Sequence, residues 1–445
     1  MEAAPRKRRS RGWRWALLAL CVLAIVATGA LAWRPAIAPL TETEARAQRY
    51  DAALVARGAN LAAIGNCAVC HSASAARPFA GDVGLQTPFG VVYSTNISPD
   101  YATGIGSWSQ AAFTRALREG VSRDGHLLYP AFPYDHYTHL ADDDIHALYA
   151  YMMTREPLRA QAPYNRLDFP FGFRPLLAGW NLLYLRRGGI ASDPQRGAEW
   201  NRGAYLVSAL GHCSACHTPR TALGGPDRRR YLDGGEAEGW YVPALNAHSP
   251  SPTSWDAEQL AAYLRSGIAP NHAIAAGPMQ GVTASLSQAD AGEVRAIAAY
   301  IVSQMGQPPA QRVAGAAERA ASAGLPAAQA TGGDSVDAHR LQIGAQLYAT
   351  ACARCHDGGR ADSSGGAQRL PLAVAVYDPD PRSLLRLIRE GVRPADYQPG
   401  RWMPGFAAEL SDEQVLALAA YLRQSAANLP PWPDLPGALR KVKQP

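Results

Sequence analysis

Seven cysteines stand in a chain of 445 residues, and six of them fall into three copies of one short pattern. The copies are Cys67-Ala68-Val69-Cys70-His71, Cys213-Ser214-Ala215-Cys216-His217 and Cys352-Ala353-Arg354-Cys355-His356. Two thiols two residues apart can each add to one vinyl group of a haem, and the histidine that follows is then held beneath the iron. Half a zinc site or a thioredoxin-like pair would begin the same way. Zinc wants a second donor pair at finger-like spacing, and the redox pair wants a strand leading into a helix. Neither accompanies any copy. Cysteines engaged in adjacent pairs also do not read as the disulfide framework of a small secreted domain. The expected cofactors are therefore three covalently bound haem c groups, attached through Cys67, Cys70, Cys213, Cys216, Cys352 and Cys355, with His71, His217 and His356 as axial ligands. Cys21 is left over, and its plain reading is a small apolar residue in an apolar run.

The sixth position of the iron separates electron carriers from ligand binders, because a Met thioether there raises the potential and blocks exchange with small molecules. Each repeat carries a helical tag closed by glycine: Leu117-Arg118-Glu119-Gly120, Leu264-Arg265-Ser266-Gly267 and Ile388-Arg389-Glu390-Gly391. Twelve residues beyond these glycines lie Phe132, Met279 and Met403. Met279 and Met403 adjoin Pro278 and Pro404 and are the expected sixth ligands of the second and third haems. Phe132 cannot ligate iron, so the first sixth ligand is unknown. His136, His139 and His126 in the adjoining loop, and Met152 or Met153 beyond it, are candidates. Each also reads plainly as a loop histidine or a core methionine, and a five-coordinate iron is the remaining alternative. Asn96 and Asn246 sit at related places before Trp108 and Trp255, where loop turns or a haem propionate would use them.

The elements that must hold these residues recur with them. The motifs begin 146 and 139 residues apart, and each follows a short helical segment with glycine: Gly58 to Ile64, Gly203 to Leu210 and Gly344 to Ala351. Each repeat then closes with an amphipathic helix, Asp142 to Met153, Gln288 to Gln304 and Ser411 to Gln424, with apolar residues at three- and four-residue spacing. This predicts an all-α fold with long loops. The expected units are 46–156, 195–306 and 336–427, joined by a Pro- and aromatic-rich linker, 157–194, and an Ala/Gly/Pro/Ser-rich flexible linker, 307–335. A Pro-rich tail, 428–445, follows.

Ahead of the repeats, Trp15 to Trp33 runs without a charge for 19 residues, close to the ~20 a bilayer core requires. Arg6, Lys7, Arg8, Arg9, Arg11 and Arg14 precede it. The positive-inside rule then reads 1–14 as a cytoplasmic basic N-terminus, 15–34 as a transmembrane anchor and the rest as lying outside the inner membrane. A cleaved signal peptide ending near Ala30-Leu31-Ala32 is the alternative. The net charge of +6 comes largely from this cluster, so no nucleic-acid partner is expected.

With these residues in hand, the chain resembles the membrane-bound alcohol dehydrogenase cytochrome c subunit family, triheme proteins that also serve gluconate and related sugar dehydrogenases. The resemblance covers about Tyr50 to Gln424. It rests on the three motifs and on Gly104-Ile105-Gly106-Ser107-Trp108, Leu128-Tyr129-Pro130-Ala131-Phe132-Pro133-Tyr134, and Asn201-Arg202-Gly203-Ala204-Tyr205-Leu206 running into Gly211-His212-Cys213. It implies three tandem class I cytochrome c-like domains in the periplasm behind a single-pass inner-membrane helix. It also implies a partner dehydrogenase subunit with a quinone, flavin or molybdenum cofactor, and passage of electrons to ubiquinone or a terminal oxidase. The chain itself would carry no catalytic residues. Phe132 stands where the family usually has Met, and such Phe variants are similar to cytochromes that accompany molybdenum hydroxylases. Two rivals are a ligand-binding or peroxidase-type protein using an open first haem, and a cytochrome serving an oxidase or reductase directly.

Overall fold

The computed structural model describes residues 12–322, 324–326, 335–357, 367–393 and 403–444. Three helices recur in each repeat. The entry helices are Ala52–Ile64, Ala198–Tyr205 and Ser335–Leu347, the middle helices Gln110–Glu119, Ala257–Ser266 and Arg382–Glu390, and the closing helices Asp142–Met153, Ala291–Met305 and Asp412–Ala427. Side-chain caps fix where several begin. Asp51 accepts from the Ala53 and Leu54 amides, Ser109 from Ala112, Asp290 from Gly292 and Glu293, and Ser411 forms a capping box with Gln414, each cap satisfying amides that the helix leaves unpaired.

Entry and closing helices cross at a glycine in every repeat. A Cβ on Gly58, Gly203 or Gly344 would lie 2.0, 1.9 or 2.2 Å from the carbonyl oxygen of Ala147, Ala296 or Ala417. No side chain fits between the two backbones, so the helices pack at a distance that only hydrogen allows. Tyr151, Tyr300 and Tyr421 flank the three crossings in the same way.

The apolar faces close into two main cores. One spans the first and second repeats and joins Leu61, Ile145 and Met152 with Leu206, Leu210 and Ile297. The other belongs to the third repeat, around Tyr348, Leu385, Leu418 and Tyr421. Two segments read from sequence as linker and tail are folded onto this second core. Ala310–Ala321, within the stretch expected to be a flexible tether, is a helix whose Ala316 and Ala320 are buried there. The tail ends in the helix Leu435–Lys443, with Trp432, Leu435, Leu439 and Val442 buried in the same core.

Two expectations are corrected. The fold is helical but not all-α: the described residues include seven short strands in three antiparallel sheets. These are β1 (Gly84–Thr87), β2 (Gly90–Tyr93) and β3 (Arg166–Leu167), β4 (Gly235–Ala237) with β5 (Trp240–Val242), and β6 (Ile268–Ala269) with β7 (Ala273–Ile274). They lie in the long loops and run two to four residues, too short to show an alternating pattern. The second correction concerns the N-terminus. Gly12–Ala32 is one helix, but its end packs onto the rest of the protein, with Ala32 against Val121, Leu127 and Ala178, and it runs beside the helix Leu176–Tyr184. Leu17, Leu18, Leu20 and Leu23 on it are exposed. Among the described residues no helix is long and apolar enough to cross a membrane, which removes the transmembrane anchor at 15–34 and with it the single-pass inner-membrane placement.

Candidate haem sites

Each Cys-x-x-Cys-His motif folds as a tight helical turn after its entry helix. Asn66, in a left-handed conformation, turns the chain into Cys67–His71. In the second and third repeats the last turn before the motif widens into π-helix, at Leu206–Leu210 and Tyr348–Cys352. The turn brings both thiols and the imidazole of each motif together. All six cysteines are free, so the thiols remain available for thioether formation.

The three histidines share one arrangement. His71 Nδ1 is bonded to Thr95 O at 2.7 Å, His217 Nδ1 to Pro243 O at 2.8 Å and His356 Nδ1 to Gln368 O at 2.9 Å. A carbonyl only accepts, so each ring donates from Nδ1 and presents its Nε2 lone pair for an iron. Burial favours the neutral, ligating form, lowering the pKa of His71 and His356 and pushing that of His217 down to about 4. It also keeps thiols protonated, pushing Cys67 and Cys213 up to about 12 and Cys352 up to about 11. Among the described residues no group of three or more His, Cys, Asp or Glu could hold a bare metal ion. Two thiols and one oriented imidazole per site suit a covalently attached haem and fall short of a zinc cluster.

The loops opposite the histidines differ. In the first two repeats the chain leaves the middle helix alike: Gly120 and Gly267 cap it at φ 62° and 73°, and their carbonyls accept from the Leu128 and Ala275 amides at 2.7 Å. Val121 then pairs with Leu127, and Ile268 with Ile274. Five residues past Leu127 and Ile274 come Phe132 and Met279, so their equivalence holds in the backbone as well as in the count. In the third repeat Val392 pairs with Met403 itself. Met403 thus occupies the place of Leu127 and Ile274, and the shared count does not put it where Met279 lies. Residues 394–402 between them fall outside the described residues.

Near the first site, His136 is buried with both ring nitrogens engaged, Nε2 with Ser214 Oγ at 2.9 Å and Nδ1 with Asp135 at 3.1 Å. His139 Nδ1 is bonded to Gly188 O, and His126 Nδ1 pairs with Asp124 at 2.9 Å. Met152 is a core residue, and Met153 packs against the same core. Phe132 packs on Tyr137 with ring centroids 5.4 Å apart, and Tyr137, whose pKa burial pushes well up, directs its hydroxyl to Gly65 O at 3.5 Å, two residues before Cys67.

Sequence reasoning did not reveal how the sites are joined. Ser214, inside the second motif, holds His136 from the first repeat, and His212 Nε2 reaches Gly65 O at 3.4 Å in return. The β4–β5 hairpin turns through Glu238 and Gly239, both with positive φ, as a two-residue hairpin turn requires. Its β4 strand lies against the second motif, where a Cβ on Gly235 would come within 2.4 Å of Cys216 O. Its other side meets the third repeat: Arg382 bonds Glu236 at 2.6 Å, Ser383 Oγ donates to Tyr241 O at 2.8 Å, and Arg386 donates to Gly239 O at 3.2 Å while lying over Trp240. Trp240 also presses on Gly277, two residues before Met279, where a Cβ would come within 2.4 Å of the indole. The Glu-Gly turn was the legible signal for this hairpin.

All three motifs fall within matches to known families. The cytochrome c family matches residues 55–156 and 201–304, and a family described as cytochrome c oxidase, cbb3-type, subunit III matches 339–422. The chain is 44% identical to a nicotinate dehydrogenase subunit of Pseudomonas putida over 99% of its own length but only 36% of that protein's; it thus spans about a third of that relative. It is 34% identical to the fructose dehydrogenase cytochrome subunit of Gluconobacter japonicus, over 88% of this chain and 82% of the relative. With the cytochrome c subunit of the quinone alcohol dehydrogenase of Gluconobacter oxydans it shares 32% identity, over 90% and 84%. The chain belongs to the alcohol dehydrogenase cytochrome c subunit family, whose members are electron-transfer subunits of dehydrogenase complexes and not themselves the catalysts.

Proposed function

We propose that the chain binds three covalent haem c groups and passes electrons from a dehydrogenase catalytic subunit to ubiquinone or a terminal oxidase. The observation that carries this reading is the threefold recurrence of two free thiols beside an imidazole whose Nδ1 is held by a backbone carbonyl. When bound, each haem supplies reversible one-electron exchange at its iron. The chain's own residues would hold it: Cys67 and Cys70, Cys213 and Cys216, and Cys352 and Cys355 would form the thioether links, and His71, His217 and His356 would offer Nε2 to the irons. Met279 would complete the second site, and Met403, although it sits five residues short of Met279's place in the loop, is the sulfur donor the sequence offers the third.

The partner is inferred from the relatives, which are named as subunits of nicotinate, fructose, gluconate and alcohol dehydrogenases. The 44% identity to the nicotinate dehydrogenase subunit, above the 34% and 32% to the fructose and alcohol dehydrogenase cytochromes, favours a dehydrogenase of the nicotinate kind as the partner. Haem content tests the core of the proposal. The mature protein should carry the mass of three haems and the corresponding c-type absorbance per chain, and Cys213→Ala with Cys216→Ala should remove one of the three. Fewer than three haems in the unaltered protein would overturn it.

A further inference from the structure

Phe132 stands where Met279 stands in the second repeat, and the side chains nearest to it in sequence are engaged or placed elsewhere. His136 has both nitrogens bonded, to Ser214 and Asp135, and is buried in that arrangement. His139 and His126 keep Nε2 free, but His126 is exposed at the surface, and His139 lines a surface pocket with Arg118 and Arg187 that Phe132 does not share. Met152 and Met153 follow Tyr151 as Ile301 and Val302 follow Tyr300 on the closing helix of the second repeat. All four pack in or against one core, so the two methionines fill the places of aliphatic residues that ligate nothing. Phe132 itself is partly buried against that core and packed on Tyr137, whose hydroxyl reaches Gly65 O, two residues before Cys67.

We propose that the first haem has no protein sixth ligand, that Phe132 caps its open face, and that the reduced iron there takes a neutral diatomic ligand of the carbon monoxide or nitric oxide class. This rests on the haem reading above. The benzyl side chain offers no lone pair to iron and no hydrogen bond to a bound anion. The Tyr137 hydroxyl points to Gly65 O at 3.5 Å, and His136 is held by Ser214 and Asp135. A face covered by an apolar ring favours a neutral ligand over an anion. Carbon monoxide binds by donating its carbon lone pair to ferrous iron, and no protein ligand has to leave.

Carbon monoxide titration of the fully reduced protein, with haem counted on the same sample, tests this. The expected result is uptake by one haem in three and a high-spin signal from about one third of the iron when oxidised. Phe132→Met should turn that iron low-spin and abolish the uptake while leaving three haems per chain, and Cys67→Ala with Cys70→Ala should abolish it by removing the first haem. A protein with three haems, all low-spin and indifferent to carbon monoxide, overturns this inference alone. Uptake that survives Phe132→Met or the loss of the first haem overturns it as well. A protein with fewer than three haems overturns the reading beneath it too.

Discussion

A methyl group at Gly203 would place a carbon 1.9 Å from Ala296 O, and that oxygen belongs to the backbone of a packed helix and cannot swing aside. Gly→Ala in an exposed helix interior gains about 1 kcal/mol of helix propensity, but overpacking typically costs ~1–3 kcal/mol and here the obstacle is backbone. Gly203→Ala should therefore lower the denaturation midpoint of the protein, whereas Ala substitution at Gly179, which has open space around its Cβ position, should not. Chemical denaturation of both variants distinguishes the two outcomes. At this scale the sequence was readable wherever chemistry demands a residue type: thiols and imidazoles cannot be replaced, so Cys213, Cys216 and His217 identified themselves. The groups that orient the histidines are the carbonyls of Thr95, Pro243 and Gln368, which any residue could supply. His136 read as a candidate iron ligand because nothing local reveals Ser214, 78 residues away.

Elements were legible in proportion to their length. The closing helices carry acidic residues in the first turn and long apolar spacing, and Asp142–Met153, the one of the three without a side-chain cap, still has the bounds its pattern predicts. Strands of two to four residues carry no such signal. The helix Ala310–Ala321 was hidden by the composition of its surroundings, although alanine is itself the strongest helix former and Ala316 and Ala320, four apart, face the core. The β4–β5 hairpin is the element with most at stake, since it touches both the second motif and the third repeat. Arg386→Ala removes its hydrogen bond to Gly239 O and its contact over Trp240, together worth about 1–2 kcal/mol of docking. Amide exchange in Trp240–Val242 and Arg382–Glu390 should accelerate in this variant while exchange in Asp142–Met153 stays unchanged. Equal protection in all three segments would show that the hairpin does not join the repeats.

Across the whole molecule, the sequence conveyed a carrier of electrons and not a catalyst, because its recurring residues bind a cofactor and no other constellation accompanies them. Its reading of the N-terminus failed. An uncharged run of sufficient length suggests a membrane span by hydropathy, yet hydropathy does not register that the end of Gly12–Ala32 is packed on Val121, Leu127 and Ala178. The repeat pattern does not show that burial is shared unequally. Leu61 and Ile145 lie in one continuous apolar interior with Leu206 and Ile297, while the third repeat, with Ala310–Ala321 and Leu435–Lys443 laid over it, keeps an interior of its own. Cooperative unfolding follows continuous interiors, not sequence repeats. A scanning calorimeter should accordingly record two heat-absorption peaks and not three, the larger from residues up to Met305 melting as one body. The polypeptide counts in threes, but it comes apart in twos.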